Sequence, residues 1–386
     1  LGAETILRLD AQQESLARRL DVRNAVVRGP AGSGKTLVLV HKAVQELGRL
    51  RQNGSELPVL LVCFNLTLVH YLKRLLAAQR APLGPKGIQV MHFYDFCRSL
   101  LSEPLAYENE DSSYYSLVTQ MAMEAAPGAT KFGAVFVDEG QDFSDAMMAV
   151  LKGVRAEDSL FWVACDTAQE LYETDQLWPA DESFRTFSLK TPYRATRSLT
   201  DFCEAIAVHA DSDKEEPEGG AIFSVQTEEG DPARLTHVAD LRQGAAYIAE
   251  RIHALHKEGV PYSEMMVLYA SSKYGELGGG GVPEFLRDTL EENGILASWV
   301  SRNAQSKSAW DITTDSVSLS TIHSMKGLDA EAVFIWGLDA LDAGRIPQEK
   351  LHTLAYVACT RARRHLDILH CEQTPLITKM LSCAKK

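Results

Sequence analysis

Short runs of apolar residues alternate along the chain with longer segments in which apolar positions recur every three to four residues. "NAVVR" precedes "TLVLVHKAVQELGRLR", "PVLLVCF" precedes "LTLVHYLKRLLAAQ", "FGAVFV" precedes "DAMMAVLKGV", and "SLFWVAC" closes the series. Continuous apolar runs of this length read as strands buried on both faces, and the longer period reads as helices with one buried face. Strand and helix in alternation predict a parallel sheet covered by helices on both sides. From about Leu199 the pattern resumes with "LTDFCEAIAVHA", "LRQGAAYIAERIHALH", "EMMVLYA", "VPEFLRDTLEENG", "AVFIWGL", "LHTLAYVACTRA" and "HLDILH". A second α/β unit is expected, with residues 1–190 in the first and 191–386 in the second. No short solenoid-type repeat is present. Three stretches rich in Gly, Pro or charge read as surface loops: 211–220, 274–283 and 301–314.

A length of 386 residues allows two ordinary domains with a core each. The apolar fraction of 45% and charged fraction of 24% are those of a globular protein, and the longest apolar runs are too short to span a bilayer. No membrane partner is expected. The opening "LGAETILRLD" has neither an initiating Met nor a basic start followed by a long apolar core. It reads as a trimmed chain with something missing upstream, rather than as a secreted precursor. The seven cysteines are scattered, odd in number and never spaced as CxxC. They predict reduced thiols in a cytoplasm and speak against a zinc site. A net charge of -13 and a pI near 5.4 argue against a protein that coats nucleic acid nonspecifically, and leave a confined basic channel open.

One stretch carries chemistry on its own. Gly29-Pro30-Ala31-Gly32-Ser33-Gly34-Lys35-Thr36 fits G-x-x-x-x-G-K-[ST], with a strand-like run before it and a helix-like run after it. The glycines Gly29, Gly32 and Gly34 let successive backbone N–H groups, that of Ser33 among them, curl around phosphate oxygens. The following helix presents its positive end, Lys35 bridges the outer phosphates and Thr36 ligates Mg²⁺. "KFGAVFVDEGQDF" supplies the matching acids. An apolar strand ends in Asp138-Glu139, which places a Mg²⁺-directed carboxylate beside one that can polarise an attacking water. Adjacent acids at a strand end are also common as solvated loop residues, and it is the cradle upstream that favours the catalytic reading.

"DEGQDF" resembles motif II of the UvrD/Rep-like branch of superfamily one helicases, and the other family motifs follow in family order. "LDAQQESLARRL" resembles the Q-type segment, which implies Gln13, ahead of Gln12, as the adenine reader. "VCFNLTLVHYLKRL" resembles motif Ia, with Phe64 and Asn65 where family members touch single-stranded DNA. "VMHFYDFCRSLL" is similar to the next DNA-side motif through His92 and Phe93. "FWVACDTAQELY" resembles motif III, in which Gln169 after Asp166 would sense the γ-phosphate. "TPYRAT" resembles motif IV, with Tyr193 stacking on the base and Arg194 reaching the γ-phosphate. "STIHSMKGLDAEAVFI" is similar to motif V, with Thr321, His323, Ser324, Lys326 and Gly327 in register and Asp329 where the family usually has a nucleotide-side Glu. "AYVACTRARRHL" resembles motif VI, with Arg361 as the second arginine finger; Arg363 and Arg364 read as surface charge.

The resemblance, from about Leu9 to His370, implies two RecA-like P-loop NTPase domains that share ATP and Mg²⁺ in the crevice between them. It further implies stepping 3′ to 5′ along a single strand, DNA ahead of RNA. The chain also departs from the family. Only about 45 residues separate His92 from Asp138, and only 301–314 leads towards motif V, so the two accessory insertions of UvrD-like helicases are expected to be absent or vestigial. Without them the resemblance does not extend to autonomous unwinding. Leu37 stands where many relatives have a phosphate-touching Arg, and Thr174 near a common DNA-stacking Trp, for which Trp178 is a candidate substitute. Compact chains of this wording are similar to helicase modules that follow nuclease-related domains. A competing class is a nucleotide-gated interaction protein that recruits or releases a protein partner.

Overall fold

The computed structural model describes residues 9–103, 112–166, 183–189, 195–206, 228–272, 281–311, 314–341 and 348–384. The chain divides into two compact units, Leu1–Thr191 and Pro192–Lys386. Each is a parallel-sheet α/β domain flanked by helices, the fold class expected.

In the first unit, β1 (Asn24–Gly29), β2 (Val59–Cys63), β3 (Ile88–His92), β4 (Phe132–Val137), β5 (Arg155–Asp166) and β6 (Arg185–Ser188) lie in the order β3-β2-β4-β5-β1-β6. Every neighbouring pair is parallel. A parallel pair needs a crossover, and the helices Lys35–Gln52, Leu66–Ala78 and Asp145–Gly153 supply it. β2 and β4 are buried along their whole lengths, as continuous apolar runs require. The helix Lys35–Gln52 buries Val38, Leu39, Val40 and Ala43. It also buries Lys42, whose ammonium bonds the Arg19 carbonyl and sits 5.1 Å from the Trp162 ring centre. Desolvation lowers the Lys42 pKa, and Glu46 partly offsets this.

The second unit repeats the plan. β7 (Arg234–His237), β8 (Met265–Tyr269), β9 (Ala297–Trp299), β10 (Val317–Thr321), β11 (Ala330–Trp336) and β12 (Ala362–His370) lie in the order β7-β12-β11-β8-β10-β9, again with every pair parallel. The core gathers Ile248, Ile252, Val267, Leu286, Leu319, Phe334 and Trp336. The helix Leu241–Lys257 packs on Trp336 through Gly244, where a Cβ would run into the indole ring.

The loop expected at 301–314 is corrected. Val300–Arg302 forms a 3-10 turn and Ala304–Ala309 a short helix, whose first turn is capped by the Asn303 side chain accepting from Ser306 N at 2.7 Å. An N-cap Asn outweighs the run of polar residues that suggested a loop. The loop reading at 274–283 ends earlier than expected, because a helix begins at Val282; the remainder, like 211–220, lies outside the described residues. Among the described residues, no helix is long and apolar enough to cross a membrane.

Candidate nucleotide and nucleic-acid sites

Sheet order places the chemistry. β5 lies between β1 and β4, and parallel register pairs Gly29 with Asp166 and Val137 with Val163. The carboxyl ends of three adjacent strands therefore release the cradle, Asp166, and Asp138-Glu139 at one edge of the sheet, where α/β proteins bind ligands.

In the cradle, Gly32 and Gly34 take φ of 76° and 84°, the left-handed region that glycine enters without penalty. Gly34 caps the helix that starts at Lys35 and offers no side-chain acceptor, so the first-turn N–H groups face the cradle without an internal partner of that kind. Ser33 is fully buried and contributes backbone, its N–H donating to the Pro30 carbonyl at 3.2 Å. Lys35 is 8% exposed and folds back on the loop, donating from Nζ to the carbonyls of Gly29 at 2.8 Å and Pro30 at 2.9 Å. Its ammonium thus waits in the loop that carries it.

Asp138 is 1% exposed. Its Oδ1 accepts from Glu139 N at 3.1 Å, Thr36 bonds its side chain, and Oδ2 is buried with no hydrogen-bond partner. Burial, with Glu139 next to it, pushes the Asp138 carboxyl up to about 7, against the opposing pull of Thr36 and Lys35. A buried carboxylate that is bonded by the cradle threonine and keeps one oxygen orphaned fits a divalent cation: Thr36 and Asp138 are oxygen donors of the hard type that Mg²⁺ takes. Among the described residues, no cluster of three or more His, Cys, Asp or Glu forms a separate metal centre.

Glu139 adopts φ 55° and ψ 46°, left-handed for a residue with a side chain, and heads the 3-10 turn Gly140–Asp142. Its Oε2 accepts from Gln141 Nε2 at 2.5 Å, and Gln141 Oε1 accepts from Asp166 N at 3.1 Å. The sequence reading gave Gln141 no role beyond its place in the motif. Its reach depends on a turn conformation that residue order does not reveal.

Gln13 is corrected. It is 4% exposed, its Oε1 accepts from Asp10 N in a capping box, and its Nε2 donates to the Ser33 carbonyl at 3.0 Å. Both ends of the amide are engaged by the helix Ala11–Ala17 and the underside of the cradle, so it is not displayed to a base. Gln12 is the exposed neighbour and donates to the Ser188 carbonyl at 3.1 Å. Gln169, Tyr193 and Arg194, like Thr174 and Trp178, lie outside the described residues.

Phe64, Asn65 and His92 gather where β2 and β3 end, side by side. Phe64 is half-buried, its ring centre 5.8 Å from that of His92 and 5.5 Å from Tyr94, and His92 Nε2 bonds the Phe64 carbonyl at 2.9 Å. The Asn65 oxygen caps the helix Leu66–Ala78, accepting from Thr67 N and Oγ1. Phe93 is corrected as a nucleic-acid contact. It is fully buried beneath this group, edge-on to Tyr94 and Phe143, and cannot stack on a base.

In the second unit Thr321 ends β10 and its hydroxyl donates to Ser324 Oγ at 3.0 Å, which shapes the turn His323–Met325. His323 is exposed. Arg361 is 6% exposed, and its guanidinium donates to the carbonyls of Val357 at 2.9 Å and Leu328 at 3.1 Å and to Thr360 Oγ1 at 3.0 Å. No carboxylate among the described residues pairs with it. Asp329 lies 3.5 Å from Arg363 Nε, and Arg363 also donates to Glu264 at 2.5 Å. Arg363, expected as solvated charge, is therefore an internal ion-pair partner, its side chain 17% exposed.

Fold and cradle together define a chain of two parallel-sheet α/β units, the first of them carrying a P-loop. Residues 284–373, within the second unit, match the model of the UvrD-like helicase C-terminal domain, and the resemblance read from motifs V and VI is borne out. A Mycoplasma pneumoniae protein described as a probable DNA helicase is 29% identical over 140 residues, which is 33% of this chain and 22% of that protein. The chain thus matches about a fifth of the length of this curated relative. Among solved structures, the C-terminal domain of a possible DNA helicase from Lactobacillus plantarum WCFS1 is similar at 18% identity and a TM-score of 0.34, over 49% of this chain and 94% of that one. Arterivirus nonstructural protein 10, a helicase solved with DNA, is similar at 15% identity and a TM-score of 0.42, over 96% of this chain and 65% of that one.

Proposed function

We propose that the chain is an ATP-driven motor that steps along single-stranded nucleic acid, DNA ahead of RNA, in the 3′ to 5′ direction implied by its motifs. Residues 1–190 act as the nucleotide-binding domain and 191–386 as its partner domain. The observation that carries the proposal is the meeting, at one sheet edge, of the cradle, the Thr36–Asp138 pair and Glu139. Backbone N–H groups at the head of the helix Lys35–Gln52 receive the phosphates, and Lys35 exchanges the Gly29 and Pro30 carbonyls for phosphate oxygens. Mg²⁺, when bound by Thr36 and Asp138, would neutralise phosphate charge. Glu139 orients the attacking water. Arg361 stabilises charge developing on the transferred phosphoryl, together with Arg194 and with Gln169 as γ-phosphate sensor. Asp329 and Tyr193 serve the nucleoside side. Phe64, Asn65, His92, Thr321 and His323 serve the strand, the aromatic members by stacking without regard to sequence.

ATP turnover measured with and without single-stranded DNA or RNA tests this reading. Stimulation by the strand, together with loss of turnover but retained ATP binding in Glu139→Gln, is expected. A rate raised only by a protein partner would refute the motor, and would favour a nucleotide-gated switch compatible with the net charge of -13.

A further inference from the structure

Glu139 occupies a backbone conformation that costs a residue with a Cβ about 1 kcal/mol or more, and such strain persists only where the surroundings enforce it. Two features do so. Gly140 lies flat against β5, where a Cβ would run into Val163 and would stand 3.0 Å from Cys165 Sγ, so the turn Gly140–Asp142 is pressed onto that strand. From this turn the Gln141 side chain bridges two elements: Nε2 donates to Glu139 Oε2 at 2.5 Å, and Oε1 accepts from the N–H of Asp166, the last residue of β5, at 3.1 Å.

We infer that Gln141 is a positioning residue for Glu139, fixing one carboxylate oxygen so that the other is aimed at the attacking water, and tying that aim to the end of β5. The inference rests on the proposed role of Glu139 in water activation. The bridge needs a donor at one end and an acceptor at the other, which an amide provides. A glutamate there would set two carboxylates against each other, and an asparagine is one methylene short. Since β5 leads out of the sheet beside Gly29 of the cradle, Asp166 is the backbone point at which a shift of the strand end would turn the Glu139 carboxylate.

The test compares wild type with Gln141→Leu, of similar bulk but without either polar end, and with the isosteric Gln141→Glu. ATP turnover is measured with saturating single-stranded DNA, and the dissociation constant of a fluorescent nonhydrolysable ATP analogue is measured separately. Both variants are expected to lose roughly 10- to 100-fold in kcat while the dissociation constant stays within about twofold, as misaiming of one catalytic group predicts. In a Glu139→Gln background, adding Gln141→Leu is expected to cost nothing further, since residues acting as a unit are not additive. Undiminished kcat in both variants of an active wild type overturns the inference alone, as does a fall in analogue affinity that matches the fall in kcat. A wild type that binds the analogue and shows no turnover with any strand overturns the reading of Glu139 itself.

Discussion

Asp138 holds a buried carboxylate with one oxygen unmet, so the nucleotide-free first unit should be more stable without its charge. Asp138→Asn keeps the shape and an acceptor for Glu139 N and Thr36 while removing the charge. The sign follows from linkage. The folded-state carboxyl titrates near 7 against an unfolded 3.8, so between these values the folded state binds more protons, and stability falls as pH rises through that window. At about 1.4 kcal/mol per pH unit, the full span amounts to about 4 kcal/mol above neutral pH, and is an upper bound because the amide brings an N–H that also needs a partner. About 2 kcal/mol is the expected gain, or roughly 4 to 8 °C in Tm for a unit of this size. The assay is thermal denaturation in a chelating buffer, with wild type and Asp138→Asn compared at about pH 8 and about pH 5, where linkage predicts that the gain shrinks. Added Mg²⁺ should narrow the difference by stabilising only the wild type. A variant no more stable than wild type at the higher pH, or a gain that ignores pH, would refute the claim that this carboxylate is held ready for a cation.

Three further substitutions probe residues of the candidate site and the helix Lys35–Gln52. Arg361→Lys cannot serve the Val357, Leu328 and Thr360 acceptors with one planar fork; it should lower kcat by about 100- to 1000-fold and stability by about 1–2 kcal/mol, checked by ATP turnover and chemical denaturation of the same preparation. Gly34→Ala places a Cβ against the Gln13 amide at φ 84° and should cost about 1–3 kcal/mol with loss of ATP binding. Gly48→Ala, on the same helix with nothing within 4 Å, should gain about 0.5–1 kcal/mol and leave binding intact, as paired melting curves and nucleotide titrations would show.

What the sequence made legible follows the strength of each local signal. The buried strands β2 and β4 are unbroken apolar runs, and the helices Lys35–Gln52 and Leu241–Lys257 carry the helical period over many turns, so pattern alone located them. The edge strands β6 and β7 are four residues each, exposed or half-buried, and a run such as "RTFS" has no period to read. The helices Ser112–Ala125 and Pro375–Cys383 sit among polar and mixed residues and also escaped notice. At the site, motif spacing brought Lys35, Thr36 and Asp138 together because the spacing encodes strand ends. Gln13 and Phe93 went astray for a different reason. Motif position fixes where a residue lies along the chain and leaves open which way its side chain turns; Gln13 turned under the cradle and Phe93 into the core.

Asp138 and Arg361 make a complementary pair of anomalies. Each is more than nine-tenths buried, and burying a charge without a partner is among the costliest arrangements a fold can keep. In the first unit the uncompensated group is an anion, met by a threonine hydroxyl and one backbone N–H, with Lys35 near enough to pull against its raised pKa. In the second it is a cation, met by two carbonyls and a hydroxyl, with no carboxylate among the described residues within ion-pair reach. Neutral hydrogen bonds hold both in place and cancel neither charge. Were stability the only requirement, an aliphatic side chain of similar volume would serve at either position. Retaining a buried anion in one unit and a buried cation in the other therefore points, in each unit taken by itself, to a requirement other than stability.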